Sequence, residues 1–296
     1  LEQDGLQAAT VSTIFAVPAD GVTTGGALLE SELRRVVAEA EQAARDGAGI
    51  IILSDRGIDA GHAPVPVLLA TGAVHHALIR AGLRGKADIV IESAEVCDVH
   101  ALACLIGYGA SAVNPYLALA QAASLTGTRG YETLAPGMLR ANYLHGLEKG
   151  FLKISSKMGI STAMGYRGAQ IFETLGLAQE IVDEHFTGTP ARLCGIGYAE
   201  LEEDILRRHH EAYHDPAPKL VDMGFVRYRK DGEAHAYEPP MVKLLQEAVN
   251  TGSPEAYQAY RDHVAAHPVT AVRDLLQVEP LGAAVPLADV EPVESI

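Results

Sequence analysis

Two short stretches of unbroken hydrophobicity, residues 49–54 (GIIILS) and 87–91 (ADIVI), do most to limit what this chain can become. They are too brief for helices and lack a polar face, so they read as strands covered on both sides, the usual setting of a parallel sheet. Each runs out into polar residues, Asp55-Arg56-Gly57 after the first and Glu92-Ser93 after the second. Helical spacing fills the intervals, with Leu28, Leu29, Leu33, Val36, Val37 and Ala40 on one stripe of residues 25–44 and a long amphipathic stretch over 65–83. An earlier strand is expected at 10–17 (TVSTIFAV) and a fourth at 110–114 (ASAVN), the latter after a helix over 96–106 that closes at Gly107 and Gly109. Repeated strand, helix, strand units specify an α/β fold with a mainly parallel sheet.

The second half changes character. Helices are expected at 117–125, at 137–149 running on toward 157, and at 168–175, 178–185 and 198–214. Asp215-Pro216-Ala217-Pro218 stops the last of these, and residues 225–229 and 234–237, joined through Lys230-Asp231-Gly232-Glu233, read as a hairpin. Helices at 240–250 and 254–267 lead into the run 270–276. The chain therefore divides into a βα-repeat part (1–125), a mainly helical continuation of the same domain (126–214), a hairpin with helices (215–276) and a proline-bearing linker (277–296).

Composition removes several functions. With 48% hydrophobic residues in 296 positions the chain can bury a large core, and a formal charge of −15 repels nucleic acid and anionic membranes at long range. Aromatic residues are 5% with no tryptophan, too few for a stacking platform. Cys97, Cys104 and Cys194 form no C-x-x-C pair and read as reduced thiols of a reducing compartment. No window reaches the ~20 apolar residues of a membrane span, and no secretory signal opens the chain, so a cytoplasmic protein is expected. The start, LEQDG, has no Met, and a piece of a longer chain is expected.

Few residues carry chemistry. His210-Glu211-Ala212-Tyr213-His214 fits H-E-x-x-H, the spacing by which two histidines one turn apart bind zinc with a glutamate as base, which would make a zinc-dependent hydrolase. Against this, the second histidine directly precedes Asp215-Pro216, and a third ligand would have to come from Glu233, His235 or Glu238. Cations complementing a helix C-terminus explain the run equally. His75 and His76 point about 100° apart on a helix and cannot share a metal. Asp55-Arg56, Glu92 and Glu95, with Asp98 and His100 nearby, lie where strands hand over to helices, a common place for ligands, although acids there also serve helix N-termini. Lys149, Lys153 and Lys157 recur every four residues ahead of Arg167, and Lys153, Lys157 and Arg167 are candidates for an anion or flavin-phosphate site. Neither a G-x-x-x-x-G-K-[ST] loop nor a G-x-G-x-x-G fingerprint accompanies them, so a docking or solvated face is the competing reading. No serine, cysteine or threonine stands beside an ordered base.

Longer blocks say more. IIILSDRG from Ile50, PVPVLLATGAVHHALIRAGLR from Pro64, IVIESAEVCDVHALACLIGYGASAVNPYLAL from Ile89, NYLHGLEKGFLKISSKMGISTAMGYRGAQIFETLGL from Asn142 and FTGTPARLCGIG from Phe186 together resemble the central region of the large subunit of glutamate synthase. The resemblance implies an architecture related to a partial or distorted βα barrel. It also implies a parent enzyme that makes two glutamates from glutamine and 2-oxoglutarate, joining an amidotransferase, this region and a domain holding FMN and an iron–sulfur cluster. The partners are then the amidotransferase and FMN-binding domains of the same chain, with ammonia passing between them, and the final linker leads toward the FMN-binding domain. The family's catalytic motifs fall outside these positions, so no catalytic residue, metal or cofactor is assigned to this segment. The chain departs from the family pattern at Glu95, Val96, Cys97 and Asp98, where a more basic turn is common, and at Met164-Gly165, where a Gln-Ser pair is common.

Overall fold

In the computed structural model, which describes residues 7–18, 23–214 and 222–295, the strands appear as Ala8–Ser12 (β1), Ile14–Ala16 (β2), Ile50–Ser54 (β3), His62–Pro64 (β4), Asp88–Glu92 (β5) and Ala110–Asn114 (β6). β1, β3, β5 and β6 pair in that order into one sheet, parallel throughout, with Ile51 opposite Ile89 and Leu53 opposite Ile91. Between them run Ala27–Arg45 (α1), Val67–Arg80 (α2) and Val99–Gly107 (α3). Because each new strand is added on the same side of the last, right-handed crossovers place successive helices on one face, as in a βα barrel. Among the described residues the sheet does not close on itself.

That topology corrects one expectation. Ile51, Leu53, Ile89 and Ile91 are buried in one cluster with Leu29, Leu33, Val36, Val74, Leu78 and Leu105 from the three helices. Ile50, Ile52 and Val90 on the other face are only half-buried. The runs are hydrophobic on both faces, but only one face has helices to cover it. The expected strand at 10–17 is also two strands. After Thr13, whose N–H still donates to the Ser54 carbonyl at 2.9 Å, the chain leaves the sheet and β2 pairs antiparallel with β4.

The chain continues through Tyr116–Ser124 (α4), Pro136–Met158 (α5), the single turn Ala163–Tyr166 (α6), Thr174–Leu177 (β7), Gln179–His185 (α7), Ala191–Ile196 (β8) and Tyr198–His214 (α8). β7 and β8 form a separate parallel pair. The helix expected at 168–175 is therefore not formed: residues 167–173 are a loop and β7 follows. Gly168 and Gly176, both at positive φ, break the helical backbone that the apolar spacing suggested.

Backbone contacts divide the molecule into units Leu1–Pro218 and Lys219–Ile296. The second holds Pro239–Thr251 (α9) and Pro254–Ala266 (α10), which pack on each other, followed by short 3-10 turns. The hairpin expected at 225–237 has no paired strands among the described residues. Instead a loop is closed by Glu233 N–H donating to the Met223 carbonyl, His235 bonding the Gly224 carbonyl at 2.6 Å and Arg229 reaching Asp222 at 2.8 Å. Phe225 and Val226, adjacent and both largely exposed, leave that segment no buried face on which a sheet register could be set. The Asp215-to-Pro218 stop signal lies outside the described residues.

Candidate functional site

The carboxyl ends of β3, β5 and β6 bring Asp55, Arg56 and Glu92, which the sequence placed after buried strands, together with Ser54, Ser93, Asn114 and Tyr116. Asp55 is 1% exposed and accepts from Ser93 Oγ at 2.6 Å and from the Ala94 N–H at 2.9 Å. Glu92 accepts from Arg56 Nε at 2.7 Å, Ser54 Oγ at 2.8 Å and Asn114 Nδ2 at 3.2 Å. Burial pushes the Glu92 carboxyl up, but the Arg56 and Ser54 hydrogen bonds outweigh it and hold the group below the usual range. The Arg56 guanidinium lies 4.2 Å above the Tyr116 ring. Burial, and next the hydrogen bond to Asp55, push the Tyr116 phenol up, so it stays a neutral donor. Ser54 and Glu92 thus tie β3 to β5, and Asn114 ties β6 to β5.

Glu95 differs from these. Its carboxylate accepts the Val67 N–H at 2.9 Å, at the first residue of α2. Although Glu95 lies exposed on the surface, desolvation of its carboxyl by packed neighbours, partly offset by that bond, pushes it up to about 6 with help from Asp55, while Arg208 draws it down. Its structural task is clear from the helix, because Pro66 at the α2 N-cap has no side chain to offer. Asp98 does the same locally for α3, accepting from the Ala101 N–H at 2.7 Å.

A third carboxylate completes the pattern, and it is one that sequence reasoning missed. Glu202, on α8 and fully buried, accepts from the N–H groups of Leu28 and Leu29 at 3.1 Å and from Thr24 Oγ1 at 3.0 Å. Burial opposes its ionisation, yet these donors hold it below the usual range. Gly26 at the α1 N-cap offers no side chain either. The signal was present as an acid on the apolar stripe Tyr198, Leu201, Ile205 and Leu206, but the helix it caps lies more than 170 residues away.

The other sequence candidates are dispersed. Arg167 is committed to Asp88 at 3.1 Å, at the opposite end of the sheet, whereas Lys153 and Lys157 stand exposed on α5. The hollow beside α5, formed by Ser155, Ser156, Gly159, Ile160, Ser161 and Thr162 among others, is lined by none of the three cations. In the H-E-x-x-H run the His210 and His214 rings lie 4.8 Å apart, but Arg207 Nη1 holds Glu211 at 2.7 Å. The core uses the preceding histidine instead: His209 is buried and bonds the Asp59 carbonyl at 2.7 Å. His235 and Glu238 are engaged within the second unit, by Gly224 and His263. Among the described residues no three His, Cys, Asp or Glu side chains are placed to hold a metal, and no helix is long and apolar enough to cross a membrane.

Comparison with known proteins identifies the family of this assembly of βα units. The family model described as glutamate synthase central domain matches residues 1–178. Similar curated proteins include the ferredoxin-dependent glutamate synthase of Oryza sativa subsp. japonica, 40% identical over 90% of this chain and 17% of its own length. Ferredoxin-dependent glutamate synthase 2 of Synechocystis is 41% identical over 98% of this chain and 20% of its own. The glutamate synthase [NADPH] large chain of Azospirillum brasilense is 39% identical over 99% of this chain and 19% of its own. The chain thus spans at most a fifth of the length of these relatives.

Proposed function

Since the chain belongs to the glutamate synthase central domain family, we propose that it serves as the connecting domain of such an enzyme, between an amidotransferase part and an FMN-binding part, and walls part of the route of ammonia between them. On this reading the parent converts glutamine and 2-oxoglutarate to two glutamates in the cytoplasm. The FMN and the iron–sulfur cluster belong to other parts of the parent, and these residues position those parts without touching the reacting atoms.

The observation that carries the proposal is the surface. Leu152, Met164, Leu175, Phe225, Val226 and Tyr237 are 65%, 76%, 69%, 84%, 85% and 79% exposed. Apolar side chains on this scale suit a segment covered by further chain. The polar groups at the strand ends point the same way, since they are spent on one another and on helix N-termini.

The test uses the whole parent enzyme. Leu175→Asp and Phe225→Asp are expected to break the equality between glutamine hydrolysed and glutamate formed, with ammonia escaping to solution, while glutaminase activity persists. Unchanged coupling in both variants would remove the connecting role. Glutamate formation by the isolated chain from 2-oxoglutarate and ammonia, given FMN and a reductant, would show instead that the segment is catalytic.

A further inference from the structure

At the other end of the sheet from the carboxylate network lies a pocket of about 170 Å3, between the end of α3, the loop before β7 and the loop before β8. His75, His76, Tyr108, Gln170, Phe172 and Thr189 line it. No carboxylate, ammonium or guanidinium is among its lining residues. Its aromatic wall is Tyr108 stacked on Phe172, with ring centroids 5.5 Å apart.

The hydrogen-bonding state of His75 follows from its neighbour. Arg84 Nε donates to His75 Nδ1 at 3.0 Å, and a guanidinium can only donate, so Nδ1 is the acceptor and the proton resides on Nε2. Arg84 is itself fixed, donating to the carbonyls of Ala87 at 2.6 Å and Gly109 at 2.8 Å. The His75 ring lies so close to the backbone that a Cβ on Gly109 would meet Nδ1 at 2.4 Å. With that edge of the ring occupied, the Nε2–H side faces away from Arg84, and it has no protein partner among the described residues.

Gln170 supplies the complementary group. Its backbone is held at φ 53, a left-handed conformation that costs a side-chain-bearing residue energy. Its amide lies over Gly188, where a Cβ would come within 2.2 Å of Nε2. The amide, too, has no protein partner among the described residues. Gln170 is exposed, so its amide stands free at the mouth of the pocket, open to solvent or to a ligand.

We propose that this pocket binds a ring-sized, uncharged molecule bearing a lactam or carboxamide. The carbonyl of such a group accepts from His75 Nε2–H, its N–H donates to the Gln170 amide oxygen, and its planar face lies against Tyr108 and Phe172. Size agrees, because a cavity of about 150 Å3 holds a single benzene ring. The lining residues offer no direct counterion, and the nearest cation, Arg84, is spent on His75 and on the Ala87 and Gly109 carbonyls, which favours a neutral ligand. Burial, with Arg84 adding to it, holds His75 down to about 4, so the imidazole remains a neutral donor at physiological pH.

Calorimetric titration of this chain with 2-pyridone tests the proposal, with benzene and benzoate as the apolar and anionic counterparts. Saturable binding of 2-pyridone is expected, tighter than that of either counterpart. Gln170→Gly removes the amide and relieves the positive φ, so it should keep or raise Tm while weakening 2-pyridone by about fivefold or more. Gly188→Ala, which displaces the Gln170 amide, should weaken binding similarly. No saturable response to 2-pyridone overturns the proposal, as does equal binding of benzene or benzoate, or full affinity in Gln170→Gly.

Discussion

The two units of this chain differ in how much of their apolar surface they seal, although both leave some apolar side chains exposed. The first places Ile51, Ile89, Leu29, Leu33, Val36 and Leu78 in one sealed cluster in which each is at most 2% exposed. The second buries Met241 and Ala248 but leaves Phe225 84%, Val249 73% and Leu281 108% exposed. Area removed from water is what stabilises a fold, at about 25 cal/mol per Å2, so the first unit draws its stability from its own sequence. The apolar residues of the second contribute little as they stand, which is why they support a role in contact with more chain.

The contrast breaks most readily at the centre of the first unit. Ile51→Ala deletes a fully buried side chain between α1 and the sheet, and should cost about 3 to 4 kcal/mol in urea unfolding. A loss below about 1 kcal/mol would mean that the cluster repacks and that the first unit is as loosely held as the second.

Next in size is Glu202→Ala. It leaves the Leu28 and Leu29 N–H groups without their acceptor at the start of α1, and a loss of about 3 kcal/mol is expected. The same loss in Glu202→Gln would assign the effect to charge, and a smaller one to hydrogen bonding; no loss in either would remove remote capping as a support of the first unit.

Acidification should act on the first unit by a separate route. Burial holds His75 and His185 down to about 4, against an ordinary value near 6.5. Above about pH 6.5 both forms of the chain hold these rings neutral. Below it the unfolded rings take up protons that the folded ones refuse, so their contribution falls until about pH 4; at lower pH the depressed carboxyls of Glu92 and Glu202 add a further loss, because the unfolded carboxylates take up protons before the folded ones. Glu95, pushed up to about 6, works against this, because its folded form gains a proton first on acidification. Two rings each lowered from 6.5 to about 4, against one carboxyl raised from 4.5 to about 6, set a ceiling of about 5 kcal/mol, and a net loss of a few kcal/mol across that window is expected. Denaturant titrations at a series of pH values measure it, and a flat profile would contradict the burial of both rings.

What could be read from the sequence follows the same division. The parallel strands were legible because GIIILS and ADIVI have no polar face, and α1, α2 and α8 because their apolar stripes are long. β7 and β8 were not, since TLGL and ARLCGI are short, contain glycine and leave Leu175 and Leu193 exposed, so no buried face marks them. At the strand ends, Asp55, Arg56 and Glu92 were legible as polar residues terminating buried strands. Glu202 and Gln170 were not, because one caps a helix far away in sequence and the other acquires its meaning from a backbone angle and from Gly188.

The smallest expected effect tests the second unit directly. Leu281 is fully exposed and follows the last helix, so Leu281→Ser removes almost no buried area and should change stability by less than about 0.5 kcal/mol. The same substitution should raise the solubility of the isolated chain, because an apolar side chain in water favours self-association. In the whole parent enzyme, where the proposal has further chain covering this region, a loss clearly above about 1 kcal/mol is expected instead. The two measurements together separate the readings. A small effect in both settings would make the tail a solvated linker, whereas a large effect in the isolated chain would mean that Leu281 already has a buried place and that the two units are less different than their surfaces indicate.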